Sequence, residues 1–175
     1  EEPGRGRPEK FPILKPAFAA NGTITAANAS SLNDGAAAMV LMSAETAREL
    51  GSAPLAVIRS SATHALEPSW FTLAPIEALR KAQRHAGWSV ADVDLFEINE
   101  AFSCVAMAAA RELAIRSEKL NVWGGAVALG HPIGASGARI IITLISALRD
   151  RKLRRGAAGI CIGGGEATAL CLETI

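Results

Sequence analysis

The stretch NVWGGAVALGHPIGASGARIIITLISALR, Asn121–Arg149, decides the fold class. It opens with a short apolar run, Asn121–Val127, which predicts a β-strand. A glycine-rich turn follows at Gly130–Gly137, and the apolar run Ala138–Arg149 predicts a helix. A strand, a glycine-rich turn and a helix in this order are typical of α/β proteins.

The alternation of strand and helix continues on both sides of this stretch. The predicted strands are Leu55–Ser60, Val93–Ile98, Ala158–Gly163 and Thr168–Glu173, and the predicted helices are Pro75–Ala86 and Glu100–Ile115. With Asn121–Val127 this makes five strands. The order predicts an α/β fold with a mostly parallel five-stranded sheet, layered with helices and ending in an antiparallel edge hairpin.

The residues up to Gly51 are organised differently. Residues 1–20 are interrupted by prolines, which predicts an extended loop. The segment Thr23–Ser43 is strand-like, with a polar centre between two apolar flanks. Ser43 then suits the N-cap of a short helix, Ala44–Leu50, which Gly51 ends.

Composition argues against several classes of function. The chain has 175 residues, about one domain, and its 18 basic and 17 acidic side chains leave no global field to attract nucleic acid or an anionic membrane. Charged residues interrupt every apolar run before the ~20 residues that a membrane span needs. No export signal is recognised, and three cysteines in no pattern favour reduced thiols in a cytoplasmic protein.

Two of the predicted helices lack a polar face. Ala101–Ala110 and Ala138–Leu148 are apolar on nearly every side, whereas a surface helix keeps a polar stripe toward water. One sheet covers only one side of such helices. We therefore expect a second layer from another chain or from a segment outside this sequence.

His131 is the first candidate for chemistry. It lies within GGAVALGHPIGASGAR, where Pro132 stiffens the turn and the glycines let the backbone approach a ligand. A histidine on a glycine-rich loop at the end of a strand is more often a working group than a structural one. The lysine of a nucleotide phosphate-binding loop is absent, which argues against that function.

Cys161 is the second candidate, in the sequence CIGGGE of the predicted hairpin turn. Three consecutive glycines, Gly163–Gly165, are costly to order, and their N–H groups can stabilise a developing oxyanion. We also expect these amides to lower the pKa of the Cys161 thiol. The alternative interpretation is a buried cysteine beside a tight hairpin.

Two further motifs each allow a structural and a functional interpretation. In EINEAF, Asn99 suits the N-cap of the following helix. Its amide could equally hold a water against a substrate carbonyl, with His131 as the second donor. The segment NASSLNDG, Asn28–Gly35, has the composition of an Asx-rich turn.

Taken in order, NASSLNDGAAA, NEAF, GHPIGASGAR and CIGGG resemble the consecutive motifs of the thiolase family, the acyl-CoA C-acyltransferases. The resemblance covers essentially the whole chain. It implies the thiolase fold, in which two similar βαβαβαββ halves stack their sheets around shared central helices. Glu1–Gly51 would then be the tail of the N-terminal domain, and Ser52–Ile175 would be the C-terminal domain.

The resemblance also implies catalytic roles. His131 would be the base that activates a nucleophilic cysteine, and Cys161 would be the second acid/base, moving the α-carbon proton of an acetyl thioester. Asn99, through a water, would form one oxyanion hole with His131. The backbone N–H of Gly163 would contribute to the other.

Substrate contacts and partners are implied in the same way. Ser30 matches a position that contacts the pantetheine arm of coenzyme A, and Phe102 would lie near the acyl end. Coenzyme A thioesters are substrates, so no cofactor and no metal are expected. The expected partners are acyl-CoA, coenzyme A, an N-terminal thiolase half or another subunit, and further copies of the chain in a homo-oligomer.

One essential group of the family is missing from this sequence. The acyl-accepting cysteine belongs to the N-terminal half, and Cys104 and Cys171 have apolar neighbours typical of core residues. The sequence therefore predicts the acid/base and oxyanion half of an enzyme for thiolysis or Claisen condensation of coenzyme A thioesters, inactive alone. Two alternatives stay open. One is a non-catalytic module that binds acyl-CoA or lipid or pairs with a subunit, and the other is a hydrolase that uses Cys161 and His131.

Overall fold

The computed structural model describes residue 4 and residues 6–175. The strands are β1 (Ala56–Ala65), β2 (Leu95–Ile98), β3 (Arg155–Ile162) and β4 (Glu166–Thr174), and the helices are α1 (Ala44–Glu49), α2 (Ala74–Ala86), α3 (Ser103–Glu112), α4 (Ala126–Leu129) and α5 (Ser136–Asp150). In this part of the chain no helix is long and apolar enough to cross a membrane.

The four strands form one sheet in the order β1-β4-β3-β2. β2 and β3 are parallel, with Ile98 opposite Gly159, whereas β4 pairs antiparallel with both β3 and β1. β2 is therefore an edge strand, yet all four of its residues are buried. Other parts of the chain must cover this edge.

Hydrophobic side chains form two clusters, one on each face of the sheet. On one face, Leu79 of α2 and Val105 of α3 belong to a cluster with Phe96. On the other face, Leu144 of α5 belongs to a cluster with Leu95. Because successive side chains of a strand point to opposite faces, β2 contributes to both clusters and fixes the two layers of helices relative to each other.

The predicted α/β class is confirmed, but the sheet of the described residues has four strands rather than five. The predicted strand Asn121–Val127 is wrong, because only Leu120 forms a bridge to Phe96 before the chain turns away. Asn121 (φ 45°) and Gly124 (φ 87°) adopt left-handed conformations, which end extended pairing. Without this strand the sheet has one parallel and two antiparallel pairs, so it is not mostly parallel.

The strand-like segment Thr23–Ser43 also differs from expectation. Within the described part of the chain it forms isolated bridges only, Ala29 with Phe102 and Leu32 with His131. An extended segment becomes a strand when a neighbouring edge takes its N–H and C=O groups. The segment instead remains irregular, and Val40 is 85% exposed.

Local helix signals are confirmed more closely. Ser43 caps α1, since its hydroxyl accepts a hydrogen bond from the Thr46 N–H at 3.0 Å. Gly87 ends α2 in a left-handed conformation with φ 70°. These features depend only on neighbouring residues, so the sequence predicts them well.

The two apolar helices each keep apolar surface that the described residues leave uncovered. Met107 of α3 is 68% exposed and Ile142 of α5 is 37% exposed. The sequence predicts that a layer from outside this chain covers these helices. The exposed side chains support this prediction, which stays untested.

Gly156 of β3 allows a close contact with α5. A Cβ at this position would lie 2.8 Å from Leu144 Cγ, so we expect Gly156→Ala to destabilise the fold by about 1–3 kcal/mol. Gly137 in α5 has open space around its Cβ position, so Gly137→Ala should be neutral or stabilising by up to ~1 kcal/mol. Urea unfolding followed by circular dichroism measures both variants. Equal stabilities would contradict this account of the packing.

Candidate active site

The carboxyl ends of β2 and β3 meet at one edge of the sheet, where α/β proteins place their ligands. Asn99 follows directly after β2, and its backbone N–H donates to Gly159 O at 2.9 Å. Its side chain is fully buried. Because α3 begins only at Ser103, with Phe102 at the N-cap position, the alternative role of Asn99 as an N-cap is wrong.

His131 lies in the loop between α4 and α5. Its backbone N–H is shared between Ser31 O at 2.9 Å and Asn33 Oδ1 at 3.2 Å. Gly130 has a φ of 95°, and a Cβ there would collide with the Asn33 side chain. The Asx-rich turn therefore holds the backbone of the predicted base, a role beyond turning the chain.

Three hydrogen bonds define the protonation state of His131. Asn99 Nδ2 lies 3.3 Å from His131 Nε2, and Ser136 Oγ lies 2.6 Å from His131 Nδ1. The Ser136 hydroxyl also donates to Pro132 O at 3.1 Å. A hydroxyl has one proton to donate, so all three bonds form together when Nδ1 carries the ring proton and Nε2 accepts from Asn99. The lone pair on Nε2 thus points toward Asn99.

Charge and burial keep this imidazole neutral. Burial lowers the pKa of His131 below its usual value of 6.5, and the positive charge of Arg139 lowers it further. A neutral ring with its lone pair on Nε2 is the form that a general base requires.

Glu97 lies on the same side of β2 as Asn99, two residues earlier, and pairs with Arg139. The Glu97 Oε2 and Arg139 Nη1 atoms are 3.5 Å apart. Burial raises the pKa of Glu97 to about 7, which the charge of Arg139 opposes and that of Glu100 reinforces. Sequence reasoning missed this pair and Ser136. The available signal was a charged residue inside a strand that is otherwise apolar, since buried charges are rare unless paired.

Cys161 lies near the end of β3, two residues beyond Gly159, and is buried. Burial raises the pKa of its thiol to about 11, and a backbone hydrogen bond lowers it only in part. The expected lowering of this pKa is therefore wrong for this chain. A protonated thiol is a poor nucleophile, which argues against the Cys-His hydrolase.

The glycines after Cys161 have different roles. Gly165 has a φ of 98°, and a Cβ there would collide with Leu66 O. Gly165 O in turn accepts from the Leu66 N–H at 2.8 Å. Gly163 is exposed at the tip of the turn, with open space around its Cβ position. Folding thus explains Gly165, whereas the oxyanion contact of Gly163 stays a prediction.

Ser30 and Phe102 are held close to the start of α3. The hydroxyl of Ser30 donates to Ala101 O at 2.9 Å. Phe102 makes edge-to-face contacts with Phe18 and Phe71, with ring centroids 5.7 and 6.4 Å apart. Their contacts with coenzyme A and an acyl group stay predictions.

Two of the open clefts in the described part of the chain lie before α5 and between α2 and α3, and neither is lined by a predicted catalytic residue. A cleft of about 330 Å³ is lined by Asn33 and by Pro132, the neighbour of His131. A larger groove of about 570 Å³ between α2 and α3 contains none of the four predicted catalytic residues. Among the described residues, no group of three or more His, Cys, Asp and Glu side chains is placed to hold a metal ion.

Fold and site together describe an α/β domain in which a neutral histidine contacts a buried asparagine at the carboxyl end of a strand. The family model described as "Thiolase, C-terminal domain" matches residues 52–174, and the model described as "Thiolase, N-terminal domain" matches residues 5–45. The chain belongs to the thiolase family.

Individual relatives agree with this assignment. The chain is 54% identical, over its full length, to a "Probable acetyl-CoA acetyltransferase" of Dictyostelium discoideum, of which it covers 42%. The crystal structure of the Bacillus anthracis acetyl-CoA acetyltransferase is 47% identical and matches 95% of this chain and 42% of that protein, with a TM-score of 0.93. The Acat5 thiolase from Ascaris suum, solved in complex with coenzyme A, is 43% identical and matches 100% of this chain and 46% of that protein, with a TM-score of 0.90. The chain thus spans less than half the length of these relatives.

Ser136 should control the position of the proton on His131. We expect the neutral ring of the unmodified chain to carry its proton on Nδ1, and Ser136→Ala to shift the population toward the Nε2-protonated form because the acceptor is lost. Nitrogen-15 NMR of the imidazole measures the two tautomers. The exposed Ser117 provides a control, since Ser117→Ala should leave the spectrum of His131 unchanged. An unmodified ring protonated on Nε2 would contradict the hydrogen-bond assignment.

Glu97 should make stability depend on pH. A carboxyl group whose pKa is raised from 4.5 to about 7 on folding binds its proton more tightly in the folded state, so its contribution to stability declines as pH rises through this window. Relative to Glu97→Gln, we expect the chain to lose about 3 kcal/mol of unfolding free energy between these pH values, with no further change above them. Urea unfolding at a series of pH values measures the difference. A difference independent of pH would overturn the prediction.

Proposed function

We propose that this chain supplies the acid/base and oxyanion-binding half of an enzyme that transfers acyl groups between coenzyme A thioesters. The observation that carries the proposal is the hydrogen-bonded series Asn99, His131 and Ser136 beside the end of the strand that bears Cys161, in a chain of the thiolase family. The names of the relatives, which include acetyl-CoA acetyltransferases and a thiolase solved with coenzyme A, support this substrate class.

In the direction of thiolysis, a cysteine of the N-terminal half attacks the keto carbon of a 3-ketoacyl-CoA, and its proton passes to His131 Nε2. The bond between the keto carbon and the α-carbon then breaks, and the electron pair stays on the α-carbon as the enolate of acetyl-CoA. The enolate takes the proton of Cys161 and leaves as acetyl-CoA. Free coenzyme A attacks the acyl-cysteine and gives its proton to the Cys161 thiolate, while the released cysteine recovers its proton from His131.

The state of Cys161 in this chain fits the proton-donating step. With its pKa raised to about 11, the thiol is protonated at neutral pH and able to give a proton to a strongly basic carbanion. Asn99, through a water, and the N–H of Gly163 would stabilise the negative charge that develops on the two thioester or keto oxygens. Ser30 would contact the pantetheine arm, and Phe102 would lie near the acyl group.

We also propose a division into Glu1–Gly51, the tail of an N-terminal domain, and Ser52–Ile175, a C-terminal domain. The ranges of the two family matches, 5–45 and 52–174, support it. An N-terminal thiolase half or another subunit would cover the exposed apolar surface at Met107. A cytoplasmic location and a homo-oligomeric assembly are part of the same proposal, and the three free cysteines are compatible with a reducing compartment.

A mixing experiment tests this function. The chain alone should not cleave acetoacetyl-CoA, because it lacks the acyl-accepting cysteine, whereas the chain mixed with a separately expressed N-terminal thiolase half should cleave it in the presence of coenzyme A. His131→Ala in the same mixture should lower kcat by at least about a hundredfold, since general base catalysis is lost.

The other outcomes point elsewhere. Cleavage of acetoacetyl-CoA by the chain alone would contradict the prediction that the chain lacks the acyl-accepting cysteine. A stable complex of the two halves without thiolysis would favour the non-catalytic binding or pairing module instead.

A further inference from the structure

Asn121 lies beside the edge strand β2, where the sequence predicts a fifth strand. Its backbone N–H donates to Phe96 O at 2.9 Å. Its side chain then bonds Ile98 on both sides: Oδ1 accepts from the Ile98 N–H at 2.8 Å, and Nδ2 donates to Ile98 O at 2.9 Å. A single side-chain amide therefore makes the two hydrogen bonds that a neighbouring strand would make with Ile98.

Glu100 continues this set of bonds on the other side of Asn99. Its Oε1 accepts from Asn121 Nδ2 at 3.0 Å, and its Oε2 accepts from the Val127 N–H at 3.1 Å. Val127 lies in the first turn of α4, and Gly125, the N-cap residue of that helix, offers no side-chain cap. The carboxylate thus binds an N–H group at a helix end that would otherwise lack a partner within the helix.

We propose that Asn121 and Glu100 are positioning residues that fix Asn99 relative to His131. Asn99 stands between Ile98 and Glu100, the two residues held by these bonds. α4 in turn leads through Gly130 directly to His131. We call these two side chains the Asn121–Glu100 clamp. The clamp connects the end of β2, which carries Asn99, with helix α4, which precedes His131.

Gly125 indicates how closely the clamp is packed. A Cβ at Gly125 would overlap the carboxyl group of Glu100. The φ of Gly125 is −128°, an extended conformation that any residue adopts, so the backbone alone does not require glycine. Gly125→Ala should therefore push the carboxylate out of the clamp while leaving the chemistry of Asn121 and Glu100 unchanged.

The hydrogen-bond pattern also predicts a rescue. Glu100 accepts from two N–H donors, so Glu100→Gln sets an NH2 group against one of them. Asn121→Asp sets an oxygen against Ile98 O and the Glu100 carboxylate, all of them acceptors. In the double variant the introduced amide can donate to the introduced carboxylate, so the contact between the two side chains returns.

The first test is kinetic and rests on the proposed function. In the chain mixed with an N-terminal thiolase half, Glu100→Gln, Asn121→Asp and Gly125→Ala should each lower kcat for acetoacetyl-CoA thiolysis by about 10- to 100-fold, because a displaced amide no longer meets the oxyanion. KM should change by less than about threefold, since neither clamp residue is a predicted contact of coenzyme A. The double variant should recover part of the lost kcat. The exposed Glu118 provides the control, and Glu118→Gln should leave kcat unchanged.

The second test is independent of activity. Nitrogen-15 NMR of the same complex reports the hydrogen bond between Asn99 Nδ2 and His131 Nε2. This bond should be lost in Gly125→Ala and should return in part in the Glu100→Gln, Asn121→Asp double variant, where the contact with Ile98 O is still unfavourable. If the unmodified mixture shows no thiolysis, the proposed function fails. The NMR result then decides by itself whether Asn121 and Glu100 position Asn99. The proposal would be overturned if the Asn99 and His131 signals were unchanged in all three single variants. It would also be overturned if the kcat of these variants, per folded complex, equalled the value of the unmodified mixture.

Discussion

The hydrogen bond from the Asn99 N–H to Gly159 O, which joins the ends of two parallel strands, is the contact on which the site depends. β2 has only four residues, so this bond is the last one between β3 and the segment that carries Asn99. Helix α2 packs against Gly159 on one face of the sheet, since a Cβ at Gly159 would lie 3.2 Å from Leu79 Cδ1. The core on one face of the sheet therefore sets the position of a polar side chain on the other.

The side chain of Asn99 belongs to a group of buried polar side chains, together with Glu97 and Arg139, and burying this group is costly. Glu97 Oε1, Asn99 Oδ1 and Arg139 Nη2 are buried and lack hydrogen-bond partners among the described residues. Each such atom costs about 1–3 kcal/mol relative to a satisfied one. Apolar residues of similar size would often give a more stable core than a buried ion pair. The group becomes understandable as part of a site, because the charge of Arg139 helps keep His131 neutral and Glu97 holds Arg139 in place.

Features set by neighbours along the chain were predictable from the sequence. The Ser43 cap and the glycine end of α2 are such features. Features set by contacts across the fold were not predictable. The apolar run after Asn121 satisfies the strand pattern, yet a side-chain amide takes the place of that strand. The direction of the pKa shift of Cys161 likewise depends on how deeply β3 is buried, which the sequence does not reveal.

Under the proposed function, the division of groups between this chain and an N-terminal thiolase half has a chemical consequence. A neutral histidine and a protonated thiol are a matched base and acid for moving protons. The thiol is held in this state mainly by burial, so any partner that brings positive charge or N–H donors to Cys161 would lower its pKa and favour carbanion formation instead. Under the proposed function, the direction of proton transfer at Cys161 is therefore set by what covers the end of β3. In that proposal, this chain fixes the geometry of the site, and the covering layer would determine which form of the thiol acts in it.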